Sequence, residues 1–135
     1  MKEVAVGILA RDGTVLACQR RRGAVYPLKW EFPGGKLEPG ETAAAALKRE
    51  LKEELDVVVE RAEPFHVQEW EYPASKGISS SDGHFRVHYF LVTRFAGEPV
   101  NLAFESILWV TPDALAALDV LEGNAAAINR LRLRG

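Results

Sequence analysis

Residues 30–57 read WEFPGGKLEPGETAAAALKRELKEELDV, and this stretch decides how the whole chain is interpreted. Its first part is rich in glycine and proline, which favours a loop. A threonine and four alanines come next, followed by Leu47, Leu51 and Leu55 at a spacing of four. This pattern predicts a helix that ends at Leu55 and begins at Thr42, with Thr42 near the N-cap.

Three carboxylates of this predicted helix lie on one face. Glu53 and Glu54 follow Glu50 by three and four residues, which are the spacings of neighbours along one side of an α-helix. Like charges at these spacings repel each other and destabilise an isolated helix. A hard divalent cation such as Mg²⁺, which prefers oxygen ligands, would supply the missing counter-charge. The helix is therefore predicted to hold a divalent metal ion.

Apolar and β-branched runs predict most of the remaining regular structure. The predicted strands are residues 4–9, 15–19, 57–71 (as one or two strands), 85–95 and 107–110. Asp12 and Gly13, between the first two apolar runs, indicate a hairpin turn. Two segments rich in glycine, proline or serine, residues 23–40 and 73–83, are predicted to be loops.

Two further helices are predicted near the C-terminus. Thr111 and Pro112 are typical of an N-cap and a first helical position, and that helix is expected to end at about Leu118. Residues 124–132 are expected to form a terminal helix. Strands with interspersed helices indicate an α/β protein in which helices cover both faces of a mixed sheet.

The composition is that of an ordinary globular domain. The 135 residues suffice for one domain, residues 1–135, and are too few for two. The formal net charge of −2 predicts no general attraction to DNA or to an anionic membrane. No apolar run approaches the about 18 residues of a membrane span, and no signal peptide is expected. Cys18 is the only cysteine; we expect it to be buried, and an unpaired thiol fits a reducing, cytoplasmic location.

The spacing of glycine, charged and apolar residues around the helix matches a known motif. In chain order, the motif positions are Gly35, Glu41, Arg49, Glu50, Leu51, Glu53, Glu54, Asp56 and Val57. This series resembles the Nudix box, Gly-x5-Glu-x7-Arg-Glu-U-x-Glu-Glu-x-Gly-U, in which U is a bulky apolar residue. Every specified position matches except Asp56, where the family has glycine. The order of the predicted strands also suits the family, so the resemblance extends over the whole chain.

The resemblance implies a Nudix-type α/β/α sandwich with a mixed β-sheet, and an enzyme that uses Mg²⁺, with Mn²⁺ as an alternative. In this family, water attacks a pyrophosphate bond in a nucleoside diphosphate that is linked to a further group. Carried over to this chain, the metal carboxylates are Glu50, Glu53 and Glu54. A backbone carbonyl at Gly34 or Gly35 would complete the coordination, since glycine lets the backbone turn tightly and approach a ligand closely.

Three other motif positions are expected to support the site without reacting. By resemblance, Glu41 and Arg49 fix the loop and the helix relative to each other. Asp56 stands where a left-handed backbone conformation normally follows the helix. Aspartate tolerates that region better than most residues, so we expect a conformational cost of about 1 kcal/mol and no catalytic role for Asp56.

The identity of the general base stays open between two glutamates. The resemblance points to Glu50, but some family members use an acidic residue in the loop before the last strand. Glu105 occupies that position, four residues before Trp109. Its alternative role is that of a solvated loop carboxylate. Both glutamates are therefore retained as catalytic candidates.

Five residues before the helix are expected to contact the substrate. Arg20 and Arg21 follow the second predicted strand, and Lys36 follows the glycines; each is a candidate phosphate ligand, since arginine geometry suits phosphate. The alternative for the arginines is a solvated cluster of positive charge. Glu31 and Phe32 belong to a segment that looks closest to the MutT-type branch of the family, which hydrolyses nucleoside triphosphates, including oxidised purine ones, to the monophosphate and pyrophosphate.

In that branch, an asparagine at the start of the terminal helix hydrogen-bonds the base. Asn124 matches by position. Asparagine is also a favoured N-cap, so the alternative is that Asn124 only caps the helix.

The predicted function is therefore Mg²⁺-dependent hydrolysis of a small nucleotide by a monomer or homodimer. Within the enzyme class, the alternatives are dinucleoside polyphosphates, nucleotide sugars and 5′-triphosphate RNA ends. A non-catalytic nucleotide-binding module is the alternative from another class.

Overall fold

The computed structural model describes residues 1–72 and 83–134. The strands in this part of the chain are β1 (Lys2–Arg11), β2 (Thr14–Gln19), β3 (Trp30–Glu31), β4 (Gly34–Lys36), β5 (Val58–Glu71), β6 (His84–Ala96) and β7 (Ser106–Val110). The α-helices are α1 (Ala43–Leu55), α2 (Pro112–Ala116) and α3 (Ala125–Arg134), with a 3₁₀ turn at Glu122–Asn124 directly before α3. The loop predicted at residues 73–83 lies outside the described residues, except for Gly83.

The strand β1 lies at the centre of the sheet. It runs parallel to β6, from Lys2 beside Phe85 to Leu9 beside Val92, and antiparallel to β4 and to the start of β2. Strand β6 also pairs with β5, and β2 also pairs with β3 and β7, all antiparallel. The parallel β1–β6 pair makes the sheet mixed, as the sequence predicted.

Helices cover both faces of this sheet. Leu9 of β1 packs in one apolar cluster with the buried leucines of α1. Its neighbour Ile8 packs in a second cluster, with Leu115 of α2 and Ile128 of α3. Successive strand side chains point to opposite faces, so β1 contributes to both cores. The predicted α/β/α fold class is thus confirmed.

The predicted loop at residues 23–40 was wrong in part, because it contains two short strands. Strand β3 pairs with β2, and β4 pairs with β1. Their lengths of two and three residues leave no periodic pattern to detect, and their pairing depends on partners that are distant in the chain. The later helices also differ at their ends: α2 ends at Ala116, before Leu118, and the 3₁₀ turn precedes the terminal helix. Among the described helices, none has the length and apolar character needed to cross a membrane.

Both ends of α1 follow the sequence-based prediction. At the N-terminus, the Thr42 hydroxyl accepts a hydrogen bond of 3.1 Å from the backbone N–H of Ala45. At the C-terminus, Asp56 adopts the left-handed conformation, with φ 55° and ψ 39°. Its backbone N–H donates to the carbonyl of Lys52, and its carboxylate lies 2.6 Å from the Lys52 ammonium. The helix therefore ends by the expected αL cap, with aspartate in place of glycine.

This cap generates a test of backbone strain. We expect Asp56→Gly to be more stable than Asp56→Ala by about 1 kcal/mol, because a Cβ atom is penalised in the left-handed region. Both variants lose the ion pair with Lys52, so their difference isolates the backbone contribution. Urea unfolding followed by circular dichroism measures it. Equal free energies of unfolding for the two variants would contradict the assignment of strain to residue 56.

Candidate active site

A cavity of about 590 Å³ lies where β1, β4 and β6 meet the loop after β2 and the turn before α3. Its wall is charged near α1 and β4 and aromatic near β5 and β6. The sequence-predicted site residues that line it are Arg20, Glu31, Phe32, Gly34, Gly35, Lys36, Glu54 and Asn124. Folding therefore gathers residues that are up to about a hundred positions apart into one concave site.

Glu54 is the helix carboxylate that lines the cavity. Its Oε1 atom accepts a hydrogen bond of 2.9 Å from the backbone N–H of Gly34. Burial raises the pKa of the Glu54 carboxyl to about 8. The Gly34 hydrogen bond opposes this shift, whereas the nearby carboxylates of Glu50, Glu31 and Glu53 add to it. The charged form of Glu54 is thus unfavourable among the described residues alone, and a bound divalent metal ion would stabilise it.

The other two predicted metal carboxylates contact Arg49. The Arg49 Nη1 atom donates a hydrogen bond of 2.8 Å to Glu50 and lies 3.6 Å from a carboxylate oxygen of Glu53. The Glu53 side chain is 58% exposed, so it lies at the surface of the site. Among the described residues, no three histidine, cysteine, aspartate or glutamate side chains converge closely enough to hold a metal ion. Helical spacing brings the three glutamates to one side of α1 without bringing their oxygens to one point.

Gly35 fits closely against Glu50. A Cβ atom at position 35 would overlap the Glu50 carboxylate. Glycine at this position therefore allows the carboxylate to lie against the β4 backbone. The resulting donor set consists of carboxylate and carbonyl oxygens, which is the chemistry that Mg²⁺ and Mn²⁺ prefer.

Arg49 also connects α1 to the loop that precedes it. Its Nε and Nη2 atoms donate hydrogen bonds of 2.9 Å and 2.8 Å to the two oxygens of Glu41, and Nη2 donates a further bond of 3.0 Å to the carbonyl of Lys36. Such two-point pairing fixes the orientation of both side chains. The supporting role that was expected for Glu41 and Arg49 agrees with these contacts.

Arg20 and Glu31 form another ion pair in the wall of the cavity. Arg20 Nη1 donates to Glu31 over 3.1 Å, and Arg20 Nε donates to the carbonyl of Val25 over 2.8 Å. Burial raises the pKa of the Glu31 carboxyl, and Arg20 opposes the shift. Glu31 thus holds the guanidinium of Arg20 at the cavity wall.

Sequence reasoning missed the aromatic wall of the cavity. Trp70 and Tyr72 at the end of β5 and Tyr89 of β6 line it. Tyr89 is 2% exposed and its hydroxyl donates a hydrogen bond of 2.8 Å to Oδ1 of Asn124. Strand alternation places Tyr89 on an inward face, but nothing in a strand pattern distinguishes a cavity wall from a core.

Four predicted site residues do not line the cavity: Glu50 and Glu53, whose contacts with Arg49 are described above, and Arg21 and Glu105. Arg21 is exposed in the loop after β2. Glu105 is exposed, and its backbone N–H donates to the carbonyl of Gln19. The position of Arg21 is set by a loop, and that of Glu105 by the β2–β7 pairing. Neither could be inferred from the spacing of residues along the chain.

Comparison with known proteins agrees with this architecture. Residues 1–131 match the family model of the NUDIX domain. An 8-oxo-dGTP diphosphatase of Haemophilus influenzae is 38% identical over 130 residues, which cover 96% of this chain and 90% of that protein. A CTP pyrophosphohydrolase of Escherichia coli is 34% identical over 113 residues, covering 84% of this chain and 78% of that protein. A crystal structure of a MutT NUDIX hydrolase from Burkholderia pseudomallei has a TM-score of 0.79 and 26% identity, and the match covers 96% of each chain.

The chain therefore belongs to the NUDIX family, and it is a hydrolase. The family, fold class and enzyme class predicted from the sequence are confirmed. Hydrolases of this family generally use a divalent metal ion, which agrees with the oxygen donors around Gly35 and with the raised pKa of Glu54.

The Glu41–Arg49 pair predicts a specific dependence of stability on pH. Hydrogen bonds from Arg49 and from the backbone of Glu38 lower the pKa of Glu41 from 4.5 to about 2. The stabilisation from Glu41 is then complete above about pH 4.5 and is lost as the pH falls toward 2. We expect Glu41→Gln to lower the free energy of unfolding at pH 7, by an amount that shrinks below pH 4.5.

Urea unfolding at several pH values measures this difference. Glu38→Gln is the matched control, because the Glu38 carboxylate is 66% exposed and lies 3.8 Å from Arg49, where an ion pair contributes little. A Glu41→Gln deficit that stayed constant from pH 7 to pH 3 would contradict the assignment.

The contact between Gly35 and Glu50 predicts an effect on metal binding. Gly35→Ala should weaken Mn²⁺ binding by about tenfold or more, because the new Cβ displaces the carboxylate of Glu50, which is a predicted ligand, and disturbing the support of a ligand has effects of about that size. Titration followed by electron paramagnetic resonance measures the affinity. Gly23→Ala, which meets no atom within 4 Å, is the control. Unchanged affinity in Gly35→Ala would show that Glu50 is not a ligand.

Proposed function

We propose that this hydrolase cleaves nucleoside triphosphates to nucleoside monophosphate and pyrophosphate with Mg²⁺, which Mn²⁺ can replace. The observation that carries the proposal is the two-ended cavity. Glu54 of α1 lines one part of it, beside Gly34 and Gly35, and Asn124 and Tyr89 line another. Such a cavity accommodates a charged phosphate chain at one end and a flat base at the other.

The phosphate end has positive charge as well as carboxylates. Arg20 lines the cavity and is oriented by Glu31 and by the carbonyl of Val25. Lys36 also lines it, next to the glycines. Cationic side chains at this position support phosphate binding, and arginine suits it geometrically. Arg21 lies outside the cavity, so we assign the phosphate contacts to Arg20 and Lys36.

The base end supports binding of an aromatic ring system. Trp70, Tyr72 and Tyr89 present aromatic surface there, and Phe32 packs edge-on against Tyr89 with ring centroids 6.3 Å apart. Aromatic rings favour stacking and edge contacts with other rings. Because Asn124 supplies a polar group within this apolar wall, we propose that it hydrogen-bonds the base.

The names of the relatives support the same substrate class. One is named for 8-oxo-dGTP and the other for CTP, and both molecules are nucleoside triphosphates. Because their bases differ, the names support the triphosphate part of the substrate and leave the base to be decided by the cavity of this chain.

The metal would be held by Glu50, Glu53 and Glu54, with a backbone carbonyl of Gly34 or Gly35. When bound, a divalent cation at such a site polarises a phosphoryl oxygen and lowers the pKa of water. Glu53 contacts Arg49 and is exposed, so its carboxylate would turn toward Glu50 as it takes up its role as a ligand. The two hydrogen bonds from Arg49 to Glu41 do not involve Glu53 and would hold α1 in place during this change.

For the general base, we favour Glu50 over Glu105. The Glu50 carboxylate lies against Gly35, which lines the cavity, whereas Glu105 is exposed and neither lines the cavity nor contacts these glycines. In the proposed reaction, the base removes a proton from water, a bond forms between the water oxygen and phosphorus, and the bond between phosphorus and the bridging oxygen of the leaving phosphate group breaks. Arg20 and Lys36 offset the negative charge of the phosphates.

The test is a screen for pyrophosphate release, followed by carboxylate variants. With Mg²⁺, the wild type should hydrolyse nucleoside triphosphates faster than nucleotide sugars or dinucleoside polyphosphates. Glu53→Gln and Glu54→Gln should each lower kcat/KM by about 100-fold or more, since a metal ion contributes several kcal/mol to the transition state. Glu60→Gln on β5, which pairs with Arg94, is the control and should retain full activity.

Two outcomes would contradict the proposal. Nucleotide binding by the wild type with no turnover at any Mg²⁺ or Mn²⁺ concentration would favour a binding module. Faster turnover of nucleotide sugars or dinucleoside polyphosphates would replace the proposed substrate class.

A further inference from the structure

The Asn124 side chain is held in one orientation by a buried tyrosine. Asn124 is 7% exposed and Tyr89 is 2% exposed. The Tyr89 hydroxyl donates a hydrogen bond of 2.8 Å to Oδ1 of Asn124. Burial raises the pKa of the Tyr89 phenol, so the hydroxyl keeps its proton and remains a donor.

The hydroxyl of Tyr89 has one hydrogen and two acceptors within reach. The carbonyl of Gly123 lies 3.3 Å away, which is long for an O–H···O hydrogen bond, whereas the 2.8 Å to Asn124 is ordinary. The Gly123 carbonyl also accepts a hydrogen bond from the side-chain amide of Gln68. The Tyr89 hydrogen is therefore best used by Oδ1 of Asn124, which places the carbonyl side of the amide toward Tyr89.

The amino side of the Asn124 amide is then left for a ligand. Within residues 1–72 and 83–134, no group accepts a hydrogen bond from its Nδ2 atom, and Asn124 lines the cavity. A primary amide carries both a donor and an acceptor group. Because the carbonyl oxygen is held toward Tyr89, the NH₂ group is the part of the amide that is offered to the cavity.

The backbone around Asn124 is fixed as well. The backbone N–H of Gly123 donates a hydrogen bond of 3.0 Å to the hydroxyl of Tyr72. A Cβ atom at Gly123 would overlap that hydroxyl and crowd the Trp70 ring, so glycine is required for this close approach. Because the turn is fixed, the oxygen and the NH₂ group of the Asn124 amide can exchange places only by rotation of the side chain itself.

We propose that Tyr89 is a positioning residue that sets base preference: it turns the NH₂ group of Asn124 into the cavity, so that a base with an exocyclic carbonyl is preferred to one with an exocyclic amino group at the same position. This inference rests on the proposed function, because it assumes that the base of a nucleotide occupies this end of the cavity. It adds which side of the amide meets the base and which residue decides it.

The test uses pairs of nucleoside triphosphates whose bases differ mainly in having an exocyclic carbonyl or an exocyclic amino group. Inosine triphosphate has a carbonyl at position 6 where adenosine triphosphate has an amino group, and uridine and cytidine triphosphates form the corresponding pyrimidine pair. The pair that the wild type hydrolyses faster is used. The wild type should favour the carbonyl member in kcat/KM.

The Tyr89→Phe variant keeps the ring and removes the hydroxyl. The amide of Asn124 is then free to turn its oxygen toward an amino group. We expect the carbonyl-to-amino ratio of kcat/KM to fall by a factor of about 3 to 10, the size of one ordinary hydrogen bond. The change should appear mainly in KM, with kcat for the carbonyl substrate nearly unchanged.

Two further variants separate orientation from general structural damage. Tyr72→Phe removes a hydroxyl that contacts the same turn but not the amide, so it should change both substrates alike and leave the ratio unaltered. Asn124→Asp keeps an acceptor for Tyr89 and the shape of the side chain but removes the donor, so it should reverse the preference toward the amino substrate. Thermal unfolding verifies that each variant is folded.

The measurements distinguish a failure of the inference about Tyr89 from a failure of the proposed function. If the wild type hydrolyses nucleoside triphosphates but its ratio is unchanged by Tyr89→Phe, the inference about Tyr89 is overturned and the proposed function stands. A ratio that falls equally in Tyr72→Phe, or an Asn124→Asp variant that still prefers the carbonyl substrate, would also overturn it. If the wild type hydrolyses no nucleoside triphosphate, both the proposed function and this inference fail.

Discussion

Arg49 connects β4, the loop that follows it and α1, which together form the proposed metal end of the cavity. Its guanidinium donates to both carboxylate oxygens of Glu41, to the carbonyl of Lys36 and to Glu50. These bonds fix the β4–α1 loop against the first half of α1, and β4 in turn pairs with the central strand β1. This connection, the hydrogen bond from Gly34 to Glu54 and the packing of Gly35 against Glu50 together set the position of the two carboxylates relative to the Gly34–Gly35 backbone.

The carboxylates near Arg49 explain why a cation is expected to bind at this site. Arg49 donates two hydrogen bonds to Glu41 and one to Glu50, but none to Glu54. The pKa of Glu54 is raised to about 8 by burial and by neighbouring carboxylates. A carboxylate cluster of this kind destabilises the folded chain until a cation binds. The cluster of glutamates on α1 therefore favours metal binding at a cost in the stability of the metal-free protein. The hydrogen bond from Arg49 to Glu50 lowers this cost.

The residues proposed for chemistry and those proposed for base recognition come from different parts of the fold. The metal end comes from one continuous segment, β4 to α1. The base end is assembled from β5, β6 and the turn at residues 123–124, where Tyr72 and Tyr89 hold Gly123 and Asn124. Substitutions at the base end can change which nucleotide is preferred while the carboxylates stay in place. This separation agrees with relatives of the same family that are named for different nucleotides, and with the general rule that fold does not fix substrate.

The sequence by itself determined the features that depend on spacing within one segment. Helix α1, its caps at Thr42 and Asp56, and the side of the helix on which Glu50, Glu53 and Glu54 lie all follow from the local periodicity of the chain. Only the tertiary structure decided the features that join distant segments. Strands β3 and β4 form because β2 and β1 supply partners, Glu105 lies outside the cavity because of the β2–β7 pairing, and the amide of Asn124 takes its orientation from Tyr89. A local pattern states which face a side chain occupies, but the neighbour that it meets there is set by packing between elements.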